Sequence, residues 1–359
     1  MSRRVQLSAS RIKTAQQCSW TYWCKYILKL PDTTNEGASK GWICHLVFET
    51  LGQSGKKREF NKILKERSVW GVPSIKKLIM SHAKRLAVDD DENLEDMDKM
   101  IVNGLGYNFH GDAKHKPNKK FIEKEFNIDV DERGVKYSIR GFIDQLFLYK
   151  DGTATIRDFK SSKQTFKGKD LTDNLQDIMY SLAVRHLFPG NKSNSEFVFL
   201  KFDLSTDLLG HTGNGVIKMP TVTSEELDGF EHELSAIQTY LENYSYKNAT
   251  CSYAAKKDYP KDGSFGGPLA CGREGYKKRK GEFLLDANGK KIKNFICAFR
   301  KPMKYSALLD KDDNVIKTSF YKDRGTLTAD KSKGEKIKTM EYDGCPHFHN
   351  KGIIDDFLS

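Results

Sequence analysis

After Pro117 the chain alternates apolar and polar positions with a period of two. Before that point, and in long stretches after it, the period is nearer 3.6. FIEKEFNIDV (121–130), KYSIRGFIDQLFLY (136–149) and TATIRDFKSS (153–162) therefore read as strands, because successive strand side chains point to opposite faces. The segments between them, DERG and KDG, are turn sequences, so the three strands predict antiparallel hairpins. SEFVFLKFDL (195–204) reads as a further strand.

LTDNLQDIMYSLAVRHLF (171–188) instead places Leu171, Leu175, Ile178, Met179 and Leu182 on one helical face, and Pro189-Gly190 ends it. SEELDGFEHELSAIQTYLENY (224–244) predicts a long helix. In SKGWICHLVFETLG (39–52), Ile43, Val47 and Leu51 recur at helical spacing. LSASRIKTAQQCSWTYWCKYILKL (7–30) opens on a serine suited to capping and predicts one or two helices. Residues 61–110 are helical and polar, and the acidic run DDDENLEDMDK at 89–99 is expected on a solvated face or loop.

Helices, three antiparallel strands, helix, strand and helix make a mixed α/β domain with its sheet flanked by helices. We expect this core over residues 1–245, with a helical insertion at about 52–118. Residues 246–359 form a β-rich, cysteine-containing C-terminal region in which GEFLLDANGKKIKNFICAF and YSALLDKDDNVIKTSFY read as hairpins.

Composition narrows the class. The 359 residues are 38% apolar and 30% charged, a globular and not a disordered balance. Lys and Arg number 60 against 48 Asp and Glu, and the net charge of +12 favours a polyanionic partner, nucleic acid first. No run of 18 apolar residues predicts a membrane span, and the basic N-terminus lacks an apolar signal core. The expectation is a cytoplasmic protein without membrane contact, in a host's cytoplasm if a phage encodes it. Seven widely spaced cysteines suit metal ligation or burial better than a disulfide framework.

Two of the strands carry unexpected charge. Asp158 and Lys160 share one face of their strand, and the hairpin brings Asp144 toward them from the strand before. Two converging carboxylates repel and need a cation or a proton to coexist. Lys160 supplies one positive charge and a divalent ion would supply two. Carboxylate oxygens suit Mg²⁺ or Mn²⁺, which polarise phosphate and acidify bound water. The alternative is a buried ion pair that locks the hairpin.

These residues resemble the PD-(D/E)XK nuclease superfamily, and most the branch of the RecB nuclease domain and CRISPR-associated exonucleases. GFIDQL (141–146) resembles that branch's Gly-x-Ile-Asp strand, RDFKSSK (157–163) its Asp-x-Lys strand, and QDIMY (176–180) its Gln-x-x-x-Tyr helix. GWICHLVFETL (41–51) resembles its upstream helix with a metal-adjacent histidine, and the opening helix is similar too, with Ser19 after Cys18 where Pro is frequent. The resemblance spans roughly residues 7–204.

It implies a restriction-endonuclease-like core and a metal-dependent DNA nuclease, an exonuclease on ends or single strands in recombination, repair or replication. Asp144, Asp158 and His45 would ligate Mg²⁺ or Mn²⁺, and Lys160 would position the attacking water. Gln176 and Tyr180, at i and i+4, would contact the scissile region or hold Lys160. The acid on the preceding strand is Glu123 or Glu125. A helicase or recombination protein would be the partner, since no Walker-type loop is present. Two other readings are a non-catalytic nucleic-acid-binding module on the same fold and an end-trimming nuclease of CRISPR adaptation.

Relatives in this branch hold a 4Fe–4S cluster with one early and three late cysteines. The candidates are Cys18 with Cys271, Cys297 and Cys345, and Cys251 as an alternative. Zinc on Cys271, Cys297 and Cys345 with His347 or His349 competes with that reading, as do thiols without metal. Cys24 and Cys44 are expected in the core. KKRK (277–280) and FRKPMKY (299–305) are candidate DNA contacts.

Overall fold

The computed structural model describes residues 4–32, 35–112, 115–132, 134–205, 213–254, 271–272, 275–276, 278–279, 281–285, 289–292, 294 and 296–347. The chain divides into two compact units. One comprises Met1–Ala9 with Thr34–Glu242, the other Ser10–Thr33 with Asn243–Ser359. The opening helices, Ala9–Gln17 (α1) and Ser19–Tyr22 (α2), thus lie almost wholly in the second unit.

The first unit begins its helices with Glu36–Gly52 (α3), capped by the Asn35 side chain, which accepts from the Ala38 N–H. Lys57–Glu66 (α4), Pro73–Arg85 (α5) and Asp91–Gly106 (α6) follow. The acidic run expected as a solvated face or loop lies mostly on the exposed side of α6, where Asp91, Glu92 and Glu95 face water. Asp90 caps α6, Asp98 accepts from Ser68 Oγ and the Val69 N–H, and Asp96 takes both Lys40 and Lys201. Asp90, Asp96 and Asp98 are each satisfied by a donor, which for Asp96 and Asp98 offsets partial burial.

The strands are Lys119–Glu132 (β1), Val135–Leu148 (β2), Thr153–Lys160 (β3), Lys192–Phe199 (β4) and Val216–Lys218 (β5). They form one sheet in that order, antiparallel except for β3 beside β4. The helix Leu175–Leu187 (α7) lies between β3 and β4 in sequence, and Ser224–Glu242 (α8) follows β5. The 171–188 helix starts four residues late. Asn174 caps it by accepting from the Gln176 and Asp177 N–H groups, and Leu171 is exposed in the turn before.

Phe159 and Val198 face one side of the sheet, where they pack with Ile43, Val47, Phe48 and Leu51 of α3 and with α4–α6. Each such buried side chain contributes about 1.5–3 kcal/mol. A Cβ on Gly104 of α6 would lie 2.5 Å from Phe48 Cζ, so only glycine lets these two helices approach this closely. The alternate residues Asp158 and Phe197 face the other side, where α7 packs on β4 and β1, and α8 on β2.

The second unit contains α1, α2, a π-helical turn at Trp23–Ile27, and the short helix Tyr246–Ala249 (α9). Its strands are Lys278–Arg279 (β6), Glu282–Phe283 (β7), Met303–Leu309 (β8), Val315–Phe320 (β9) and Lys336–Tyr342 (β10), with sheet orders β6-β7 and β10-β8-β9. The YSALLDKDDNVIKTSFY hairpin is β8–β9. Trp20 Nε1 donates to Tyr342 Oη at 2.6 Å, and Tyr342 Oη donates to the Phe299 carbonyl at 2.7 Å, so early and late segments share one core. Among the described residues no helix is long and apolar enough to cross a membrane.

Candidate active site and cysteine cluster

The ladder between β2 and β3 runs from Leu148–Ala154 to Gln145–Arg157 and stops there. Asp144 and Asp158 are next in that register, so both carboxylates stand where the two strands fork. Across β1, Ile122 pairs with Gln145 and Lys124 with Ile143, which sets Glu123 opposite Asp144. Glu123 has φ of 47°, a left-handed conformation that costs a non-glycine residue about 1–3 kcal/mol and that concentrates at functional sites. Glu123, Asp144 and Asp158 thus form one row across three strands.

The fork frees the backbone of Phe159, and the site uses both its polar groups. Its N–H donates to Asp144 Oδ2 at 2.7 Å, and its carbonyl lies 3.1 Å from His45 Nε2. A carbonyl only accepts, so Nε2 carries a proton. His45 Nδ1 then faces Asp144 Oδ1 at 3.3 Å and Glu123 Oε1 at 3.7 Å. Burial opposes charging of this imidazole, but the two carboxylates outweigh it and hold its pKa well above the ordinary histidine value.

Asp158 is buried at the floor. Its Oδ1 accepts from Gln176 Nε2 at 2.7 Å and from Tyr180 Oη at 3.3 Å. Its Oδ2 lies 2.6 Å from Lys160 Nζ, an ion-pair contact without hydrogen-bond alignment, and has no other donor. Burial, then the neighbouring Asp144, push this carboxyl up to about 6 against the pull of Lys160. Lys160 Nζ donates to Gln176 Oε1 at 2.7 Å, and Gln176 Nε2 also reaches Tyr180 Oη at 2.6 Å. The Asn174 cap sets this register of α7, with Gln176 in the first turn and Tyr180 one turn on.

The residues present fit a divalent ion. Donor atoms of His45, Glu123 and Asp144 all lie within 4.8 Å of one another. Two carboxylates and one imidazole are donor types of a divalent-metal site. His45 has the backing of a metal ligand, its second nitrogen held by a backbone carbonyl. Asp158 does not join this group, because Lys160, Gln176 and Tyr180 occupy its oxygens, although its Oδ2 remains short of donors.

Of the two glutamates left open by the sequence, Glu123 reaches His45. Glu125 is exposed and pairs with Arg140, its Oε1 2.8 Å from Nη2. Period two alone gives both the same face, so no sequence signal separates them. Arg157 was not singled out at all. It is buried on the other face of β3, where Nε donates to Glu196 Oε1 at 2.6 Å and Nη1 to Gln145 Oε1 and the Asn108 carbonyl, each at 2.9 Å.

In the second unit Cys18, Cys24, Cys271, Cys297 and Cys345 belong to one core cluster, and none forms a disulfide. The Cys297 N–H donates to the Cys271 carbonyl at 3.1 Å. Burial, then Cys18, Cys297 and Cys345, push the Cys271 thiol up to about 12. Such a thiol stays protonated until a metal takes its proton's place. Cys251 is exposed and lies outside the cluster.

A Zn–S bond of about 2.3 Å keeps two zinc-bound sulfurs within about 4.6 Å. Among the described residues no three donors that include a cysteine lie that close. The zinc candidate His349 falls outside the described residues, as do the side chains of KKRK at 277–280. Cys24 and Cys44 are fully buried.

A family model described as the PD-(D/E)XK nuclease superfamily matches residues 6–256. The chain belongs to this superfamily. Its five-stranded mixed sheet flanked by helices is the restriction-endonuclease-like core of that group, and membership makes it a nuclease that uses a divalent metal. No curated protein matches the chain. Among solved structures, one titled "Crystal structure of SSO0001" is 16% identical, covering 46% of this chain and 69% of that one with a TM-score of 0.24, a likeness too small to carry an argument.

Proposed function

We propose that this nuclease is a Mg²⁺- or Mn²⁺-dependent deoxyribonuclease of the RecB-like branch that degrades DNA from its ends or along single strands. It would serve recombination, repair or replication in the cytoplasm, with unwinding supplied by a partner helicase or recombination protein. The observation that carries this reading is the row Glu123–Asp144–Asp158 with Lys160 at one end and His45 over its middle.

His45, Glu123 and Asp144 would hold the ion, and Asp158 would join them once Lys160 turns to substrate. The bound ion supplies charge to offset the phosphate and acidify water. Lys160 orients the attacking water and meets the negative charge that develops on phosphorus-bound oxygen. Water oxygen bonds to phosphorus, one P–O ester bond breaks, and the products are a phosphate end and a hydroxyl end. Gln176 holds the ammonium group of Lys160, and Tyr180 holds the carboxylate it leaves behind. The non-catalytic alternative needs neither this lysine nor three converging acids.

In the second unit, Cys18, Cys271, Cys297 and Cys345 would carry a 4Fe–4S cluster that joins the opening helix to the late strands of that unit. Its role would be structural, since it ties together chain ends far apart in sequence.

One preparation tests both parts. Protein purified without air is expected to be brown with broad visible absorption, and to lose that colour in Cys18→Ala. Given Mg²⁺ or Mn²⁺, it should degrade end-labelled linear DNA and leave covalently closed circles intact, with no activity in EDTA. Closed circles cut as fast as linear DNA would remove the exonuclease reading. DNA bound but never cut in any divalent metal would favour the binding module.

A further inference from the structure

Trp42 is an exposed tryptophan, 46% accessible, flanked on α3 by the buried Gly41 and Ile43. It lies one turn ahead of His45 on α3. Its place relative to the catalytic strand is fixed by a close approach. Gly41 packs so tightly on Ser161 that a Cβ there would fall 2.4 Å from Ser161 Oγ, and Ser161 directly follows Lys160. Residues three apart on a helix are surface neighbours, so Trp42 stands next to His45 on α3.

Two groups from α5, in the helical insertion, brace it. The Arg85 guanidinium carbon lies 5.3 Å from the Trp42 ring centroid. The His82 ring meets the indole edge-on, with centroids 5.0 Å apart at 73°. Arg85 Nη2 and His82 Nδ1 are 3.0 Å apart, so the pair is held together as well as against the tryptophan. A braced, accessible indole with a cation beside it has the composition of a single-strand binding platform. Every base has a π-face, and a nearby guanidinium serves the phosphate.

We propose that Trp42, with Arg85, is a nucleobase-binding subsite that stacks an unpaired base of the substrate strand next to the scissile phosphate. This rests on the nuclease reading above and adds a substrate preference to it: the strand must present an unstacked base at this position. Double-stranded DNA without a frayed end satisfies the subsite poorly, because its bases already stack on one another. The helical insertion thereby has a task at the site, since α5 carries both braces.

The test is binding in EDTA, where no cleavage occurs, of single-stranded oligo-dT and of a blunt duplex, to wild type, Trp42→Phe and Trp42→Ala, with melting temperatures recorded for each. Tryptophan fluorescence of the wild type should fall as oligo-dT binds, and that quenching should vanish in Trp42→Phe. Trp42→Ala should bind oligo-dT about ten-fold more weakly, within the range of a lost base stack, while Trp42→Phe stays within a few-fold of wild type. The duplex should be affected less.

Wild-type affinity for oligo-dT in Trp42→Ala, with wild-type protein still cutting DNA, would overturn the subsite and leave the nuclease reading standing. An equal loss on duplex and single strand would overturn the unpaired-base preference. Wild-type protein that binds neither DNA would overturn both readings. The Trp42→Phe quenching arm decides the question even if the alanine variant folds poorly.

Discussion

Lys160→Ala lowers metal-dependent cleavage by about 1,000-fold or more and leaves a folded protein, because general acid–base and charge-stabilising groups each contribute on that scale. Lys160 Nζ lies 2.6 Å from Asp158 and donates at 2.7 Å to Gln176, so before substrate arrives it is held at the row's edge. No other lysine or arginine is paired with the three-acid row among the described residues. Folding survives because Asp158 already has its pKa pushed up to about 6 and takes up a proton when its cation is gone. Single-turnover cleavage of an end-labelled oligonucleotide, with a circular dichroism spectrum of each protein, checks the expectation. Cleavage by Lys160→Ala at the wild-type rate would remove Lys160 from the chemistry.

Arg157→Met acts on stability. Its guanidinium is buried between β3, β4 and the chain around Tyr107, and Glu196 depends on it for charge balance. Removing one partner of such a pair leaves a buried carboxylate uncompensated, at a cost of about 3–5 kcal/mol. The Tyr107 and Phe147 rings, 4.9 and 5.1 Å from the guanidinium carbon, lose their cation as well. A second change, Glu196→Leu, should recover most of the loss, since a well-packed apolar pair often replaces a buried ion pair without penalty. Urea denaturation of the single and double variants reads both effects. A single variant within about 1 kcal/mol of wild type would mean that water reaches this pair and screens it.

The strand row was legible in the sequence because period two is a geometric property of strands. GFIDQL and RDFKSSK put Asp144 and Asp158 across from each other once the KDG turn is recognised, and β2 and β3 lie where the alternation placed them. Helix existence was equally legible, since α3, α7 and α8 bury regular apolar stripes. Three features lay beyond that reach. The choice between Glu123 and Glu125 turns on one left-handed residue, which alternation does not encode. The start of α7 was misread because Leu171 fits the helical period while the Asn174 cap four residues before Ile178 decides the boundary. The acidic stretch before Lys99 is solvated as expected at Asp91, Glu92 and Glu95, but the donors of Asp96 and Asp98, namely Lys40, Ser68 and Lys201, are distant in sequence and were not legible. Arg157 was hidden for a similar reason, since nothing local to β3 announces Glu196 as its partner.

The most direct test of the metal site is a calorimetric titration of Mn²⁺ into wild type, Glu123→Gln and Glu125→Gln at pH 7.5, with wild type repeated at pH 5. One site is expected in the wild type and in Glu125→Gln, and strongly weakened binding in Glu123→Gln. His45, whose pKa its carboxylate neighbours raise, holds at pH 5 a proton that the ion must displace, so affinity should be weaker at pH 5 than at pH 7.5. A wild type that binds no Mn²⁺, or a Glu123→Gln variant that binds it as tightly as wild type, would contradict the assignment of the three-strand row as the metal centre.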